Sequence, residues 1–230
     1  MLKTARSWSR VPVLHPAQTS NHTATVIGLT QTEPVVFVVD DDASMREGLA
    51  SLIASNGLRV ECFASAQEFL RSSATAQPSC LVLDVRMPGL SGLELQRELA
   101  ASDRHIPVIF ITAHGDIPTA VRAMKAGAVE FLPKPFHGED LLGAIQQALE
   151  RDRRGIARQT ELALIRKRWD RLTERERQVV VRIARGKLNK QIAAELGVSE
   201  NTIKAHRHHI MRKMSASTFA DLVLMIERLA

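Results

Sequence analysis

From Val35 onward the chain alternates short, largely apolar runs with amphipathic segments, and this alternation constrains the fold more than any other feature of the sequence. The amphipathic segments have the helical period, and continuous apolar strands that alternate with helices form a parallel sheet covered on both faces. The pattern predicts a doubly wound α/β domain with a five-stranded parallel sheet, in which sites form where the strands end. The predicted strands are Val35–Val39, Arg59–Phe63, Leu81–Leu83, Val108–Ile111 and Val129–Leu132, and the predicted helices are Ser44–Ala54, Ala66–Leu70, Leu93–Leu99, Thr119–Ala126 and Asp140–Leu149.

Charge is distributed unevenly along the 230 residues. Residues 1–150 hold 12 Lys and Arg against 16 Asp and Glu, a balance of −4, whereas residues 151–230 hold 19 against 9, a balance of +10. A basic C-terminal third that follows an acidic N-terminal part indicates a polyanion-binding module attached to another domain. Charge alone leaves a solvated basic surface open as the alternative.

The chain divides into four parts by pattern and composition. The first part contains no acid before Glu33 and no periodicity, which is typical of a flexible extension. The last part is an all-α domain of four short helices, broken by glycine and serine. The predicted parts are the extension 1–33, the α/β domain 34–150, a helical basic linker 151–171 and the helical domain 172–230.

Membrane and redox features point to the cytoplasm. No apolar run approaches the roughly 18 to 20 residues that span a bilayer, so we expect no membrane contact. Cys62 and Cys80 both lie in strand-like runs. Two such cysteines fit small buried thiols in a reducing compartment better than a disulfide.

Polar residues with complementary chemistry follow the predicted strands. Asp40, Asp41 and Asp42 follow the first strand, and Asp84 follows the third. Parallel strands bring these carboxylates to one sheet edge, where they repel one another unless a cation holds them, and oxygen ligands without His or Cys favour Mg²⁺. The fourth strand ends at Thr112, and Lys134 follows the fifth. A carboxylate nucleophile, a metal site and two donors are the parts that phosphoryl transfer requires.

Each of these residues also has an ordinary structural explanation. Acids after a strand are common helix caps, and Asp84 before Met87-Pro88-Gly89 could belong to a simple turn. Thr112 and Lys134 could be structural or solvated. Only the joint pattern, four strand ends in one domain, favours a functional site.

The strand-end motifs resemble those of the receiver domain of bacterial two-component response regulators, especially of the FixJ/NarL type. The resemblance covers residues 35 to about 150. It rests on Val38-Val39-Asp40-Asp41, Leu83-Asp84-Val85-Arg86-Met87-Pro88-Gly89, Ile111-Thr112-Ala113 and Leu132-Pro133-Lys134-Pro135-Phe136.

The resemblance implies a role for each residue of the site. Asp84 is expected to be the phosphoacceptor, attacking the phosphohistidine of a sensor histidine kinase. Asp41 would bind Mg²⁺ directly, Asp40 through a water, and Arg86 through its main-chain carbonyl. Asp42 is a surplus acid whose expected role is to stabilise the N-terminus of the following helix.

The resemblance also implies how the domain responds. Thr112 and Lys134 would bind the new phosphoryl oxygens, and Phe131 occupies the position of the aromatic switch residue, which turns inward when Thr112 moves. We expect the changing surface to be Ile117–Ala126 with Val129–Leu132, because these segments follow Thr112 or contain Phe131.

Helix signals in the basic C-terminal part predict a helix-turn-helix. A helix begins at Thr173, and a second, Asn189–Leu196, is followed by the tight turn Gly197-Val198-Ser199. Ser199 is a natural N-cap for the next helix, Glu200–Met214. A short glycine turn between a helix and a basic helix is the arrangement that places the later helix in the DNA major groove.

The helix Glu200–Met214 has an inward and an outward face. Ile203, Ile210 and Met214 form the apolar stripe. The opposite side is expected to meet nucleic acid, while flanking residues are better placed for phosphates. The first group is Asn201, Lys204, Ala205, His208 and Arg212; the second is Lys190, Thr202, Arg207 and Lys213.

Residues 172 to about 229 resemble the LuxR-type helix-turn-helix. The shared runs are Leu172-Thr173-Glu174-Arg175-Glu176, Asn189-Lys190-Gln191-Ile192-Ala193 and Asn201-Thr202-Ile203-Lys204-Ala205-His206. By this resemblance Lys204, Ala205 and His208 occupy base-reading positions, and the final helix, Thr218–Leu229, serves pairing of two DNA-bound domains.

Together the two resemblances imply a response regulator rather than an enzyme. Phosphorylation would cause homodimerisation and binding to a roughly palindromic promoter in double-stranded DNA, with recruitment of RNA polymerase if the protein is an activator. Two other classes stay open. One is a metal-dependent phosphatase or phosphotransferase, although Val85 and Arg86 offer no second acid. The other is a DNA-binding regulator in which the receiver is only a structural dimerisation module.

Overall fold

The computed structural model describes residues 33–72, 77–102, 104–113 and 116–229. Apart from Glu33, the predicted flexible extension lies outside the described residues. The strands are β1 (Val35–Val39), β2 (Arg59–Phe63), β3 (Ser79–Asp84), β4 (Val108–Thr112) and β5 (Glu130–Pro133). The helices are α1 (Ala43–Ser55), α2 (Ala66–Arg71), α3 (Gly92–Ala101), α4 (Ile117–Lys125), α5 (Gly138–Asp170), α6 (Glu174–Ala184), α7 (Asn189–Leu196), α8 (Glu200–Met214) and α9 (Phe219–Glu227).

The five strands form one parallel sheet in the order β2-β1-β3-β4-β5. Every residue of β1, β3 and β4 is buried, because helices cover both faces of these central strands. Helices α2, α3 and α4 pack on one face, and α1 and the first part of α5 on the other. The predicted doubly wound α/β fold is confirmed. The strand order reverses between β1 and β3, which is where ligand sites form in such sheets.

Helix α5 is much longer than the predicted segment Asp140–Leu149. It runs without a break through the predicted linker to Asp170. Leu149 is buried against the sheet, whereas Ile165 is buried in the C-terminal core. The sequence conceals this continuity because the apolar period lapses between these two residues, where the helix is solvated.

The C-terminal helices pack around a core of their own. Val179, Val180, Ile192, Ile203 and Ile210 are among its buried side chains. The turn between α7 and α8 depends on Gly197, which ends α7 in the left-handed conformation with φ 65°, a conformation that glycine adopts without steric cost. Ser199 caps α8 as predicted, its side chain accepting from the Thr202 N–H.

The structure also bears on the predictions for the two cysteines and for membrane-spanning helices. Cys80 is buried, but the prediction of a buried Cys62 is wrong, because β2 is an edge strand and leaves that thiol exposed. None of the helices in the described ranges combines the length and the apolar character that a membrane span requires.

Candidate functional site

The carboxyl ends of β1 and β3 bring Asp40 and Asp84 side by side. The two strands pair in register, with Val39 opposite Leu83, so the next residue of each strand reaches the same edge. Both acids are buried, Asp40 at 1% and Asp84 at 6% exposure. Two buried carboxylates in neighbouring positions require positive charge nearby.

Lys134 supplies that charge from the loop after β5. Its ammonium nitrogen lies 2.8 Å from Oδ2 of Asp40 and 3.0 Å from Oδ1 of Asp84. The backbone N–H of Lys134 donates to the main-chain oxygen of Thr112 at 2.7 Å, which joins the ends of β4 and β5. The Lys134-Pro135 peptide bond is cis. The structure thus brings together three of the residues that the sequence places at this edge.

Charge and burial oppose each other in this cluster. Burial raises the pKa of the Asp84 carboxyl above its ordinary value, although Lys134 and the N–H of Arg86 lower it in part. Burial lowers the pKa of Lys134, but the hydrogen bonds and charges of Asp40 and Asp84 outweigh it, so that the pKa of Lys134 is raised. The site is a charged lysine between two acids, and Asp84 ionises less readily than a solvated aspartate.

The main chain between Asp84 and the start of α3 is held by hydrogen bonds and by close packing. The N–H of Arg86 donates to Oδ2 of Asp84 at 2.7 Å. Gly92, the first residue of α3, donates its N–H to the Val85 oxygen. A Cβ at position 92 would overlap the main-chain oxygen of Asp84 and approach the Leu83 side chain to 3.2 Å. Glycine is therefore needed there so that α3 can begin against the end of β3.

The donor set suits a hard cation. Asp40 and Asp84 offer only oxygen ligands, and the adjacent Asp41 is exposed. No group of three acids, histidines or cysteines converges as a preformed metal cluster within the described ranges. Mg²⁺ commonly keeps several waters and binds through one or two carboxylates, so these residues fit a partly hydrated ion. The prediction for Asp42 is confirmed: its side chain caps α1 by accepting from the N–H groups of Ser44 and Met45.

The predicted response elements lie beside this cluster. Thr112 is 1% exposed at the end of β4. Phe131 on β5 is half-buried, with its ring centroid 6.2 Å from that of Phe110. The N-terminal half of the α4 surface is apolar and open, since Ile117 is 80% exposed and Val121 44%.

Helix α8 presents the predicted polar face to solvent. Ile203, Ile210 and Met214 are buried as expected. Every residue predicted to meet nucleic acid from this helix is exposed, and so are two of the predicted phosphate contacts. These exposed residues are Asn201, Lys204, Ala205, His208, Arg212, Thr202 and, on α7, Lys190.

Arg207 and Lys213 differ from the rest of the predicted DNA contacts, because each is engaged within the domain. The guanidinium of Arg207 lies over the ring of Phe219, and its Nη1 donates to the Asn189 side chain. Lys213 donates to Glu176, a carboxylate that is only 3% exposed, at 2.6 Å. Their assignment to phosphates stays a prediction.

Two groups were missed by the sequence reasoning. Arg46 on α1 donates to the main-chain oxygen of Asp40 at 2.6 Å and steadies the end of β1. Its position one turn into the helix after the acids was the available signal. His209 is exposed beside Ala205 on α8. Its place four residues after Ala205 puts it on the outward face, and this spacing is a signal that the sequence offers.

Comparison with family models assigns both halves of the chain. Residues 36–146 match the model described as the response regulator receiver domain. Residues 170–226 match the model of bacterial regulatory proteins, luxR family. The second match begins at the end of α5, where that helix joins the C-terminal core.

Similar proteins align along most of the chain. Nodulation protein W of Bradyrhizobium diazoefficiens is 52% identical over 198 residues, which cover 86% of this chain and 87% of that protein. Response regulator protein TmoT of Ectopseudomonas mendocina is 48% identical over 201 residues, 87% of this chain and 91% of that protein. Transcriptional regulatory protein FixJ of Rhizobium meliloti is 42% identical over 194 residues, 84% and 95% of the two chains.

Solved structures agree with these alignments. The low-resolution structure of response regulator StyR is 53% identical, with a TM-score of 0.76, and covers 86% of this chain and 100% of its own. Full-length FixJ from B. japonicum is 39% identical, with a TM-score of 0.51, covering 85% and 96%. The chain therefore belongs to the two-component response regulators that join a receiver domain to a LuxR-type DNA-binding domain.

Proposed function

We propose that Asp84 is the phosphoacceptor of this response regulator and that a sensor histidine kinase supplies the phosphoryl group. The observation that carries the proposal is the placement of Asp84, buried at the end of β3 with one carboxylate oxygen 3.0 Å from the Lys134 ammonium. An Asp84 oxygen attacks the phosphorus of phosphohistidine, a P–O bond forms, and the P–N bond breaks as imidazole leaves with the electron pair.

The neighbouring residues prepare this transfer. Lys134 holds Asp84 in place and can pass to a phosphoryl oxygen once the negative charge shifts there. Asp41 would hold Mg²⁺ directly, Asp40 through a water, and Asp84 and the Arg86 main-chain carbonyl would complete the protein ligands. When bound, Mg²⁺ supplies charge that offsets the repulsion between the carboxylate and the incoming phosphoryl group.

Phosphorylation would be read out through β4, β5 and α4. The new phosphoryl oxygens attract Thr112 and Lys134, whose main chains are already hydrogen-bonded to each other. Movement of Thr112 gives Phe131 room to turn further inward. The exposed Ile117 and Val121 on α4 supply apolar area that a second receiver can cover. We therefore propose a homodimer that forms on phosphorylation.

The dimer would bind promoter DNA through α8. Lys204, Ala205 and His208 read base edges, and Asn201 and Arg212 meet the DNA from the same face. Lys190 and Thr202 contact phosphates. Two linked domains on one palindromic site bind more tightly than one, because the second binding step is intramolecular. Transcription activation through RNA polymerase in the cytoplasm is the output that we propose.

The test is phosphorylation of the full chain by acetyl phosphate with Mg²⁺, followed by intact-mass spectrometry. We expect the mass gain of one phosphoryl group, absent in Asp84→Asn. Asp42→Asn is the matched control, because Asn caps a helix as well as Asp does. Labelling of Asp84→Asn would overturn the assignment. Release of phosphate in many turnovers without a stable phosphoprotein would favour the phosphatase alternative instead.

A further inference from the structure

Arg207 lies on the packed side of α8, not on its DNA-facing side. It follows the buried Ile203 by four residues and precedes the buried Ile210 by three, and residues at these spacings share one face of a helix. Its side chain is half-buried, whereas Ala205, two residues before it, and His208, directly after it, are exposed. Burial lowers the pKa of the Arg207 guanidinium.

Two specific contacts hold this side chain. Its guanidinium carbon lies 3.6 Å from the centroid of the Phe219 ring, at the first residue of α9. Its Nη1 donates to Oδ1 of Asn189 at 2.7 Å, at the first residue of α7. A planar guanidinium can lie flat on the ring while its edge donates a hydrogen bond, whereas a lysine ammonium is a compact point charge without a plane to stack.

The contact with Asn189 joins α7 and α8 at a second point. The turn at Gly197 already connects the end of α7 to the start of α8. The Arg207–Asn189 bond ties the beginning of α7 to the middle of α8. Two attachment points at opposite ends of α7 fix the angle between the helices, and this angle determines how α8 enters the major groove.

We propose that Arg207 is a positioning residue, which sets the orientation of α8 through Asn189 and Phe219 and thereby determines sequence discrimination. The inference rests on the proposed DNA-binding surface and reassigns one residue of it. A phosphate ligand at the same position would behave differently, because phosphate contacts add affinity for all sequences equally and steepen its dependence on salt.

The experiment measures affinity of the full chain, with acetyl phosphate and Mg²⁺, for a duplex selected from a random library and for a scrambled duplex, over a salt series. For Arg207→Ala we expect the ratio of specific to non-specific affinity to fall about five- to tenfold. The slope of log affinity against log salt concentration, the salt slope, should not change. Lys190→Ala is the phosphate control, for which the slope should fall by roughly 0.9 with the ratio preserved.

Two further variants keep the test independent of folding. Arg207→Lys retains the charge, so a phosphate role predicts near-normal binding, whereas a positioning role predicts a lowered ratio. Asn189→Ala should lower the ratio as well, and its effect should not add to that of Arg207→Ala. Circular dichroism confirms that each variant is folded at the assay temperature.

The outcomes separate the explanations. A lowered ratio at constant slope supports the positioning role. A lowered slope at constant ratio overturns it in favour of a phosphate contact, and an unchanged ratio and slope overturn it in favour of a purely structural role. If the unaltered chain selects no duplex at all, the proposed function fails, and the inference fails with it.

Discussion

The ammonium of Lys134 lies 3.0 Å from Oδ1 of Asp84, although 50 residues separate the two in the chain. The contact exists because β3 and β5 end at the same edge of a parallel sheet. It places a positive charge beside a buried carboxylate before any phosphoryl group arrives. The charges of Asp84 and Lys134 therefore already balance each other in the folded protein, and negative charge added at Asp84 must change this balance.

The buried charge of Asp84 should reduce stability at neutral pH. Because its folded pKa is raised, the unfolded chain gives up this proton more readily, and ionisation favours unfolding above the ordinary pKa. Asp84→Asn, which resembles the neutral acid, should raise the melting temperature at pH 7 without Mg²⁺ by about 2–4 °C. The difference should shrink as pH falls through the folded pKa. Calorimetry of both proteins from pH 7 down to the acid range checks this, with exposed Glu47→Gln as control.

Mg²⁺ should stabilise the receiver through its acidic edge. Binding to the folded state alone raises the free energy of unfolding by about 2.7 kcal/mol at a concentration 100 times Kd. Asp41→Asn should lose most of this gain while keeping its stability without the ion, because Asp41 is exposed. Thermal melts with MgCl₂ and with NaCl at equal ionic strength measure the effect. An equal gain in both proteins would show that Asp41 is not a ligand.

Gly92→Ala should impair phosphorylation without removing any chemical group of the site. The added methyl group overlaps the main-chain oxygen of Asp84, so β3 and α3 must separate. We expect the free energy of unfolding to fall by about 1–3 kcal/mol and labelling by acetyl phosphate to slow at least tenfold. Gly48→Ala is the matched control, since a Cβ there meets nothing within 4 Å. Normal labelling of Gly92→Ala would contradict the tight-packing account.

Lys213→Met should destabilise the C-terminal domain. Burial raises the pKa of Glu176, but Lys213 and Thr173 lower it further than burial raises it, so the folded pKa is depressed. The pair therefore stabilises the domain above the ordinary pKa and loses this effect as pH falls through the folded value. We expect a loss of about 1–3 kcal/mol at pH 7 that narrows in acid.

Trp169, which packs against the C-terminal core, reports this unfolding. The chain has two tryptophans. The substitution Trp8→Phe is introduced into every variant that is measured, so that the fluorescence comes from Trp169. Denaturant titrations of Lys213→Met are compared with the exposed Lys167→Met, which should change stability by less than about 0.5 kcal/mol. Equal stability of the two variants would contradict a stabilising role of the Lys213–Glu176 pair and would favour a contact between Lys213 and DNA phosphates.

The sequence predicts the acidic edge well and the interior contacts poorly, for a physical reason. Strand ends of a parallel sheet meet at one edge whatever the details of packing, so Asp40, Asp84 and Lys134 could be assigned to one cluster from their order alone. Helical periodicity assigns a residue to a face, as it did for Ile203 and Ile210. It does not identify the residue's partner on another helix.

The partners of Arg207 and Lys213 illustrate that limit. Both are basic residues in a basic domain, and composition favours DNA for each of them. Their acceptors, Asn189 and Glu176, lie 18 and 37 residues earlier on other helices, and only tertiary packing brings them close. The need for Gly92 likewise comes from the close approach of the Asp84 main-chain oxygen to position 92 in the folded chain, which no side-chain pattern records.

The most direct test of the account is the affinity of the full chain for its selected duplex with and without acetyl phosphate, in the presence of Mg²⁺ and at fixed salt concentration. For the unaltered chain we predict that phosphorylation raises this affinity at least tenfold through dimerisation. For Asp84→Asn we predict one affinity under both conditions. Equal affinities of the unaltered chain with and without acetyl phosphate, once intact mass shows it to be phosphorylated, would contradict the claim that Asp84 controls DNA binding.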